Sequence, residues 1–197
     1  MPLEPEAMGE RKTGQGERKQ KSGQAKFTWL FTPPLDPFHL ARFDLMTNAE
    51  IAQRFQRLAL IMEIRGDDRY RVRSYRNAAE VIEGWPVPLA DVARREGARG
   101  LQAIPSVGKA ISGKIVELCE RGTFEAYEKL TAETPETVLD LLDVSGVGIK
   151  TAATLHQQFK ISSLDDLKKF VAGGGLEMVD GVGEKTAERI AASLKKK

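Results

Sequence analysis

Three copies of one short pattern constrain this chain more than anything else in it. Residues Ile104–Ile115 read Ile-Pro-Ser-Val-Gly-Lys-Ala-Ile-Ser-Gly-Lys-Ile. Val144–Leu155 repeat the pattern as Val-Ser-Gly-Val-Gly-Ile-Lys-Thr-Ala-Ala-Thr-Leu, and Val179–Ile190 as Val-Asp-Gly-Val-Gly-Glu-Lys-Thr-Ala-Glu-Arg-Ile. A short, partly apolar segment precedes each copy: Leu101-Gln102-Ala103, Leu141-Leu142-Asp143 and Leu176-Glu177-Met178. Helical spacing begins directly after each Val-Gly turn. The pattern therefore predicts a helix, a hairpin turn and a second helix, used three times.

The residues of the turn suit one kind of chemistry. Gly108, Gly148 and Gly183 fall where the second helix begins, and glycine tolerates left-handed or strained angles and the close approach of another backbone. The first N–H groups of a helix have no partner within it. Together with the positive end of the helix dipole, those donors favour a phosphate oxygen. Val107, Val147 and Val182 are expected to point inward, and a lysine follows in each copy: Lys109, Lys150 and Lys185. With Ser106, Gly146 and Gly181 completing the turns, the pattern predicts contacts to sugar-phosphate that do not read bases. A single copy would be no more than a helix cap in an ordinary bundle; three copies with adjacent lysines favour phosphate contact.

Totals narrow the field. A chain of 197 residues holds one or two small domains, and its 41% hydrophobic content suffices for a modest core. The formal charge is only +2, so binding to nucleic acid has to come from local placement of charge rather than bulk attraction. The one cysteine, Cys119, excludes an internal disulfide and a multi-cysteine metal site, and it reads as a small buried thiol. His39 and His156 are too far apart in sequence to suggest a metal pair. No membrane span or secretory signal is visible, which makes the cytoplasm or the nucleoid the expected location.

Along the chain, residues 1 to about 26 are Gly, Gln, Lys, Arg and Glu without apolar periodicity and read as a disordered tail. Phe27–Phe43 is apolar and broken by Pro33, Pro34 and Pro37. It is a docking segment, a recognition segment, or a stretch upstream of a start at Met46, and the sequence leaves all three open. Thr47 and Glu50 form a capping box, followed by Ile51, Phe55, Leu58 and Met62 at helical spacing up to Gly66. Val72, Tyr75, Ala79 and Ile82 mark a second helix that stops at Gly84-Trp85-Pro86. Leu89–Arg95 is a shorter helix, and the helix of the first hairpin closes at Gly122. Phe124–Leu130 follow, then Thr134-Pro135-Glu136 open a helix through Leu142. The helix of the second hairpin reaches Phe159, and a further helix starts after Ser162 or Ser163. No alternating β pattern of useful length occurs. The expected fold is all-α: a tail over 1–46, a helical lobe over 47–122 with the first helix-hairpin-helix, and a lobe over 123–197 with the second and third.

With these stretches in view, the chain resembles the amino-terminal part of family X (β-type) DNA polymerases. The resemblance rests on Ser74-Tyr75-Arg76-Asn77-Ala78-Ala79-Glu80-Val81-Ile82, Ile104-Pro105-Ser106-Val107-Gly108 and Val144-Ser145-Gly146-Val147-Gly148, in that order and separation. It covers roughly residues 47 to 195. It implies a small lyase domain followed by a DNA-binding subdomain. The chain stops where the catalytic palm would begin, so no polymerase activity is expected of it.

In that family the lyase lysine forms a Schiff base with the sugar aldehyde at an incised abasic site, and β-elimination releases the sugar. Lys114 matches that nucleophile, Tyr75 a pocket tyrosine, and Arg71 a phosphate-binding basic position. A lysine attacks only once it has lost its proton, which neighbouring cations such as Arg71, Arg73 and Lys109 favour. The sequence departs from the family at Gln102 and Ala110, where further lysines are common, at Gly113 in place of an acidic residue, and at Ser106 in place of the first hairpin glycine. The resemblance also implies a monovalent cation, Na or K, held by backbone carbonyls. These would be Gln102, Ile104 and Val107 in the first hairpin, and Leu142, Val144 and Val147 in the second. No cofactor is otherwise required. The expectation is a monomeric, sequence-independent DNA-binding protein that grips nicked, gapped or abasic duplex in repair, without membrane attachment. A 5′-deoxyribose phosphate lyase is the alternative, and a scaffold docking a separate repair polymerase or nuclease is a third reading.

Overall fold

The structure, a computed structural model, describes residues 46–196. The expected tail and the Pro-rich apolar segment lie, except for Met46, outside the described residues. The Thr47–Glu50 capping box closes as its sequence requires: the Glu50 N–H donates to the Thr47 hydroxyl at 3.2 Å and the Thr47 N–H to Glu50 Oε2 at 2.7 Å. Helix α1 then spans Asn48–Arg65 and ends at Gly66, whose φ of 85° is the left-handed angle a helix C-terminus favours.

Within α1 the expected stripe Ile51, Phe55, Leu58 and Met62 is buried, but Ile61 and Ile64 are buried as well. A helix that is apolar on two sides has neighbours on both. On one side lies α2, Arg69–Glu83, which buries Val72, Tyr75, Ala78, Ala79 and Ile82. Asp68 caps α2 by accepting from the Arg71 N–H at 2.9 Å. Asn48 then holds the connection to α3, Leu89–Leu101. Its amide donates to the Trp85 and Val87 carbonyls at 3.0 Å, and its Oδ1 accepts from the Leu89 N–H at 2.8 Å. Gly97 breaks α3 at φ 62°, ψ −158°, just past the Leu89–Arg95 helix that the sequence predicts.

Helix α4 spans Lys109–Arg121, and α5 spans Glu125–Glu133. Phe124, fully buried between them, stacks on Phe55 at 5.4 Å, while Phe55 stacks on Tyr75 at 6.0 Å. This aromatic column joins α1, α2 and the start of α5. Cys119 is buried as expected; burial, with the Glu120 charge beside it, pushes its thiol up to about 12 and leaves it unreactive.

The segment expected as a helix through Leu142 is instead a 3₁₀ helix, Glu136–Asp143. At three residues per turn, Val138 and Leu141 share one edge, and both are fully buried. Leu142, which α-helical spacing would place beside Val138, is only half-buried. Helix α6, Ile149–Phe159, follows. Ser163 rather than Ser162 caps α7, Leu164–Ala172, accepting from the Asp166 N–H at 3.1 Å. A second 3₁₀ turn, Gly175–Met178, leads to α8, Glu184–Leu194. The described residues are helices and turns without a strand, so the fold is all-α as expected. Among them no helix is long and apolar enough to cross a membrane.

Segments after Gly122 pack against the second face of α1. Arg57 donates to Glu136 Oε2 at 2.6 Å, Arg54 lies 3.8 Å from the other oxygen, and the Arg54 guanidinium sits 5.2 Å from the centre of the Tyr127 ring. The Gln157 amide of α6 donates to the Ile64 carbonyl at 2.8 Å. Burial works to raise the Glu136 pKa, but the neighbouring Tyr127 hydroxyl, the Arg57 hydrogen bond and the charges of Arg57 and Arg54 outweigh it and hold the carboxyl below its usual range. A carboxylate lowered in this way stabilises the fold above its unfolded pKa, about 4.3. That contribution disappears as pH falls through the lower folded value. Glu136→Gln is therefore expected to be less stable than the parent at pH 7, with the difference closing in acid once both side chains are neutral. Urea unfolding of both proteins at neutral pH and below the carboxylate range checks this.

Candidate nucleic-acid interface

The three hairpins have the same local geometry. Each turn closes on an i→i+3 bond: Val107 N–H to Ile104 at 3.1 Å, Val147 N–H to Val144 at 2.9 Å, and Val182 N–H to Val179 at 3.1 Å. Val107 and Val147 are buried as expected, whereas Val182 is only half-buried. The left-handed angle falls one step before the valine, at Ser106 (φ 64°), Gly146 (φ 99°) and Gly181 (φ 82°). It does not fall on Gly108, Gly148 and Gly183, which are extended with φ between −95° and −77° and which any residue could adopt.

Those three glycines are unforced in a second sense. A Cβ added at any of them would meet no atom of the chain within 4 Å. Each precedes a helix whose N-terminus receives no side-chain cap. The remaining α-helices differ. Thr47, Asp68 and Ser163 cap α1, α2 and α7, and side chains from elsewhere serve α3 and α5, Asn48 on the Leu89 N–H and Glu117 on the Glu125 N–H at 3.0 Å. So among the described residues it is the three hairpin helices that begin with uncapped amides behind exposed glycines.

Charge separates the copies. Lys109 and Lys150 are exposed beside the first and second hairpins. The third has Lys185, but Asp180 and Glu184 are exposed on either side of its glycines. The third hairpin also braces the second. The Ser145 N–H donates to Ser193 Oγ of α8 at 3.0 Å, and a Cβ on Gly146 would stand 3.1 Å from Ile190 Cγ1 and 3.4 Å from the Thr186 carbonyl. Ser193 carries no sequence signal for this role, since only the fold brings it 48 residues back.

The residues carried over from the resemblance are not all together. Arg71 and Tyr75 line one cleft of about 200 Å³, with Arg65, Asp67, Lys129 and Glu133 around its rim. Lys114 is not among its lining residues; its amine donates to the Ala110 carbonyl one turn back on α4 at 3.3 Å. Tyr75 is buried and stacked on Phe55, as a core aromatic. In the hairpin loops, Ile104 and Val144 each give one carbonyl lone pair to the turn bond. The exposed Gln102 stands at the end of α3, and Leu142 is half-buried in the first 3₁₀ helix.

Backbone angles generate a pair of predictions of opposite sign. Ser106 holds a left-handed angle that costs a non-glycine residue about 1 kcal/mol. Ser106→Gly recovers that strain and gives back part through unfolded-chain entropy, for a net gain of about 0.5 kcal/mol. Gly146→Ala adds strain at φ 99° and a contact with Ile190, and should cost about 2 kcal/mol. Urea unfolding of the two variants beside the parent measures both.

Sequence comparison agrees with this geometry. The helix-hairpin-helix domain family matches residues 46–124, and the SAM-like helix-hairpin-helix tandem family matches residues 138–196. The DNA polymerase/3′-5′ exonuclease PolX of Bacillus subtilis (strain 168) is 26% identical over 149 residues, which is 76% of this chain and 25% of that protein. DNA polymerase lambda of Rattus norvegicus is 28% identical over 123 residues, 61% of this chain and 20% of that one. The Holliday junction branch migration complex subunit RuvA of Leptothrix cholodnii (strain ATCC 51168 / LMG 8142 / SP-6) is 38% identical over 71 residues, 36% of this chain and 37% of that subunit. The matched part thus spans well under half of each of these relatives. Helix-hairpin-helix units, similar to those of PolX-like polymerases, make up the described fold.

Proposed function

We propose that the chain binds DNA without regard to sequence, gripping backbone phosphates of nicked, gapped or otherwise damaged duplex in repair. One observation carries the reading: the hairpin helices begin with uncapped amides behind glycines that the fold does not itself require. Unpaired N–H groups at the positive end of a helix are a ready anion site. A glycine facing open space keeps that site clear of side chains. Lys109 and Lys150 add charge at the first and second hairpins, which are the stronger grips. The third, at Gly181, Gly183 and Lys185, is the weaker, because Asp180 and Glu184 repel the same phosphate. The names of the relatives, DNA polymerases and a Holliday-junction subunit, support DNA as the partner.

The proposed monovalent cation fits the first two hairpins. Carbonyl oxygens suit Na or K, and Ile104 and Val144 each keep a second lone pair beyond the turn bond. Gln102, Val107, Leu142 and Val147 would complete the two sets. Such a cation would supply positive charge beside the bound phosphate.

Lyase chemistry is the subordinate reading. Arg71 and Tyr75 share a cleft, but Lys114 is hydrogen-bonded along its own helix. Borohydride trapping on an incised abasic duplex, parent against Lys114→Ala, decides it; an adduct that Lys114→Ala abolishes would raise this reading above simple binding.

For the binding reading, the test is Gly108→Ala with Gly148→Ala. Alanine is a poorer N-cap than glycine but restricts the unfolded chain, so stability should stay within about 0.5 kcal/mol of the parent. The new methyl groups stand where phosphates would approach. Affinity is expected to fall about tenfold on every duplex sequence, with a shallower log–log salt dependence, since each phosphate contact contributes a slope of about −0.9. Fluorescence anisotropy across a salt series reads this out; a folded variant binding as tightly as the parent rejects the proposal.

A further inference from the structure

Helix α2 carries arginines on two flanks of its buried stripe. Arg71 faces the small cleft beside α5. Arg69, Arg73, Arg76 and Asn77, at helical spacing, share the other flank and line a second cleft of about 810 Å³. Its opposite wall is the first turn of α6, through Ile149, Lys150 and Ala153, so the second hairpin opens onto it.

The balance of charge in this cleft is positive. Of its acidic side chains, Glu63 is paired with Arg76, and Asp67 is held by Arg65 at 2.7 Å. Glu80 is the remaining carboxylate on the lining. Against it stand Arg69, Arg73 and Lys150, which are exposed and make no ion pair among the described residues. Exposed arginines without an ion-pair partner on one helix face, outnumbering Glu80 and opposite a lysine and a run of open amides, suit a chain of phosphates.

We infer that this cleft is the path of a single DNA strand, which leaves the amides of the second hairpin and crosses α2 with Arg69 and Arg73 on successive phosphates. The inference rests on the hairpin reading and extends it to a preference for DNA with a single-stranded segment. At about 810 Å³ and walled by α2 and the first turn of α6, the cleft is on the scale of a small-ligand site, which suits one strand better than a duplex. No aromatic side chain lines the cleft, so it holds the backbone without stacking bases and stays indifferent to sequence.

The test uses the full chain, with anisotropy on a blunt duplex and on the same duplex carrying a single-stranded extension. Arg69→Gln with Arg73→Gln removes two phosphate contacts. On the extended duplex the log–log salt slope should become shallower by about 1.4, two contacts at about 0.7 each on a single strand, and affinity should drop about tenfold, with less than about a twofold change on the blunt duplex. Arg69→Lys with Arg73→Lys keeps the charge and should keep the slope. Arg95→Gln with Lys168→Gln removes two exposed charges that do not line the cleft and controls for bulk attraction. An unchanged slope, an equal loss on both duplexes, or equal displacement of the strand by polyglutamate overturns the inference. The Gly108→Ala, Gly148→Ala protein keeps the two ideas apart. If it loses binding while the arginine variant does not, the hairpin reading stands and the cleft falls; if only the arginine variant loses binding, the hairpin reading falls, and with it the strand path from hairpin to cleft.

Discussion

The junction at Gly66 fixes the geometry on which everything else depends. There the left-handed cap ends α1, the chain turns into α2, and Gln157 of α6 donates to the last buried carbonyl of α1. A Cβ at Gly66 would lie 3.0 Å from the Gln157 amide nitrogen, in addition to its strained angle, so the position is constrained by the chain's own turn and by its neighbour. The hydrogen bond itself contributes only about 1 kcal/mol. Its consequence is positional: it ties the C-terminal end of α1 to α6, whose N-terminal turn carries the second hairpin. The Arg57–Glu136 pair makes a second attachment nearer the start of α1. With two points held, α2 and α6 stand at a fixed separation, and the wide cleft between them follows from that.

The hairpins show how one turn can accept different residues for different reasons. All three need a left-handed angle before the valine. At Gly146 the packing of α8 argues for glycine as well, because a methyl group would press on Ile190 and Thr186. At Gly181 the space is open and only the angle argues for glycine. At Ser106 the chain tolerates the strain without it. The extended glycines after the valines satisfy no such internal demand, and for that reason their presence in all three copies points outward, to a ligand.

Much of this was legible in the sequence, because it rests on local chemistry. The capping box at Thr47, the Gly122 stop, the helix that follows each hairpin and the burial of Cys119 all follow from neighbours within a turn or two. What escaped was set by distance along the chain. Ile61 and Ile64 lie off the main stripe of α1, and their burial signals a second packed face only once α6 is in place. Asn48 looks like an ordinary first-turn residue, yet it serves a loop about forty positions away. The left-handed angle was attributed to the wrong glycines because periodicity locates a turn but does not assign φ within it. The arginine flank of α2 was visible as spacing, but its meaning needed Lys150 on the facing wall.

Charge makes the three repeats unequal in a chain whose net charge is only +2. Some of its ionic groups neutralise each other in pairs that tie the fold, such as Arg65 with Asp67 and Glu133, or Arg76 with Glu63. Lys109 stands exposed at the first hairpin, and Lys150 at the second shares a cleft with Arg69 and Arg73. The third hairpin repeats the backbone of the other two but places Asp180 and Glu184 beside its amides, while its helix supplies Ser193 and Ile190 to the second hairpin. A phosphate there gains less than at Gly148, whereas removing that helix would leave the Ser145 amide and the face of Gly146 uncovered. The third copy therefore contributes first to the stiffness of the second, and stiffness matters because a cradle of amides holds an anion only if its donors are already aimed.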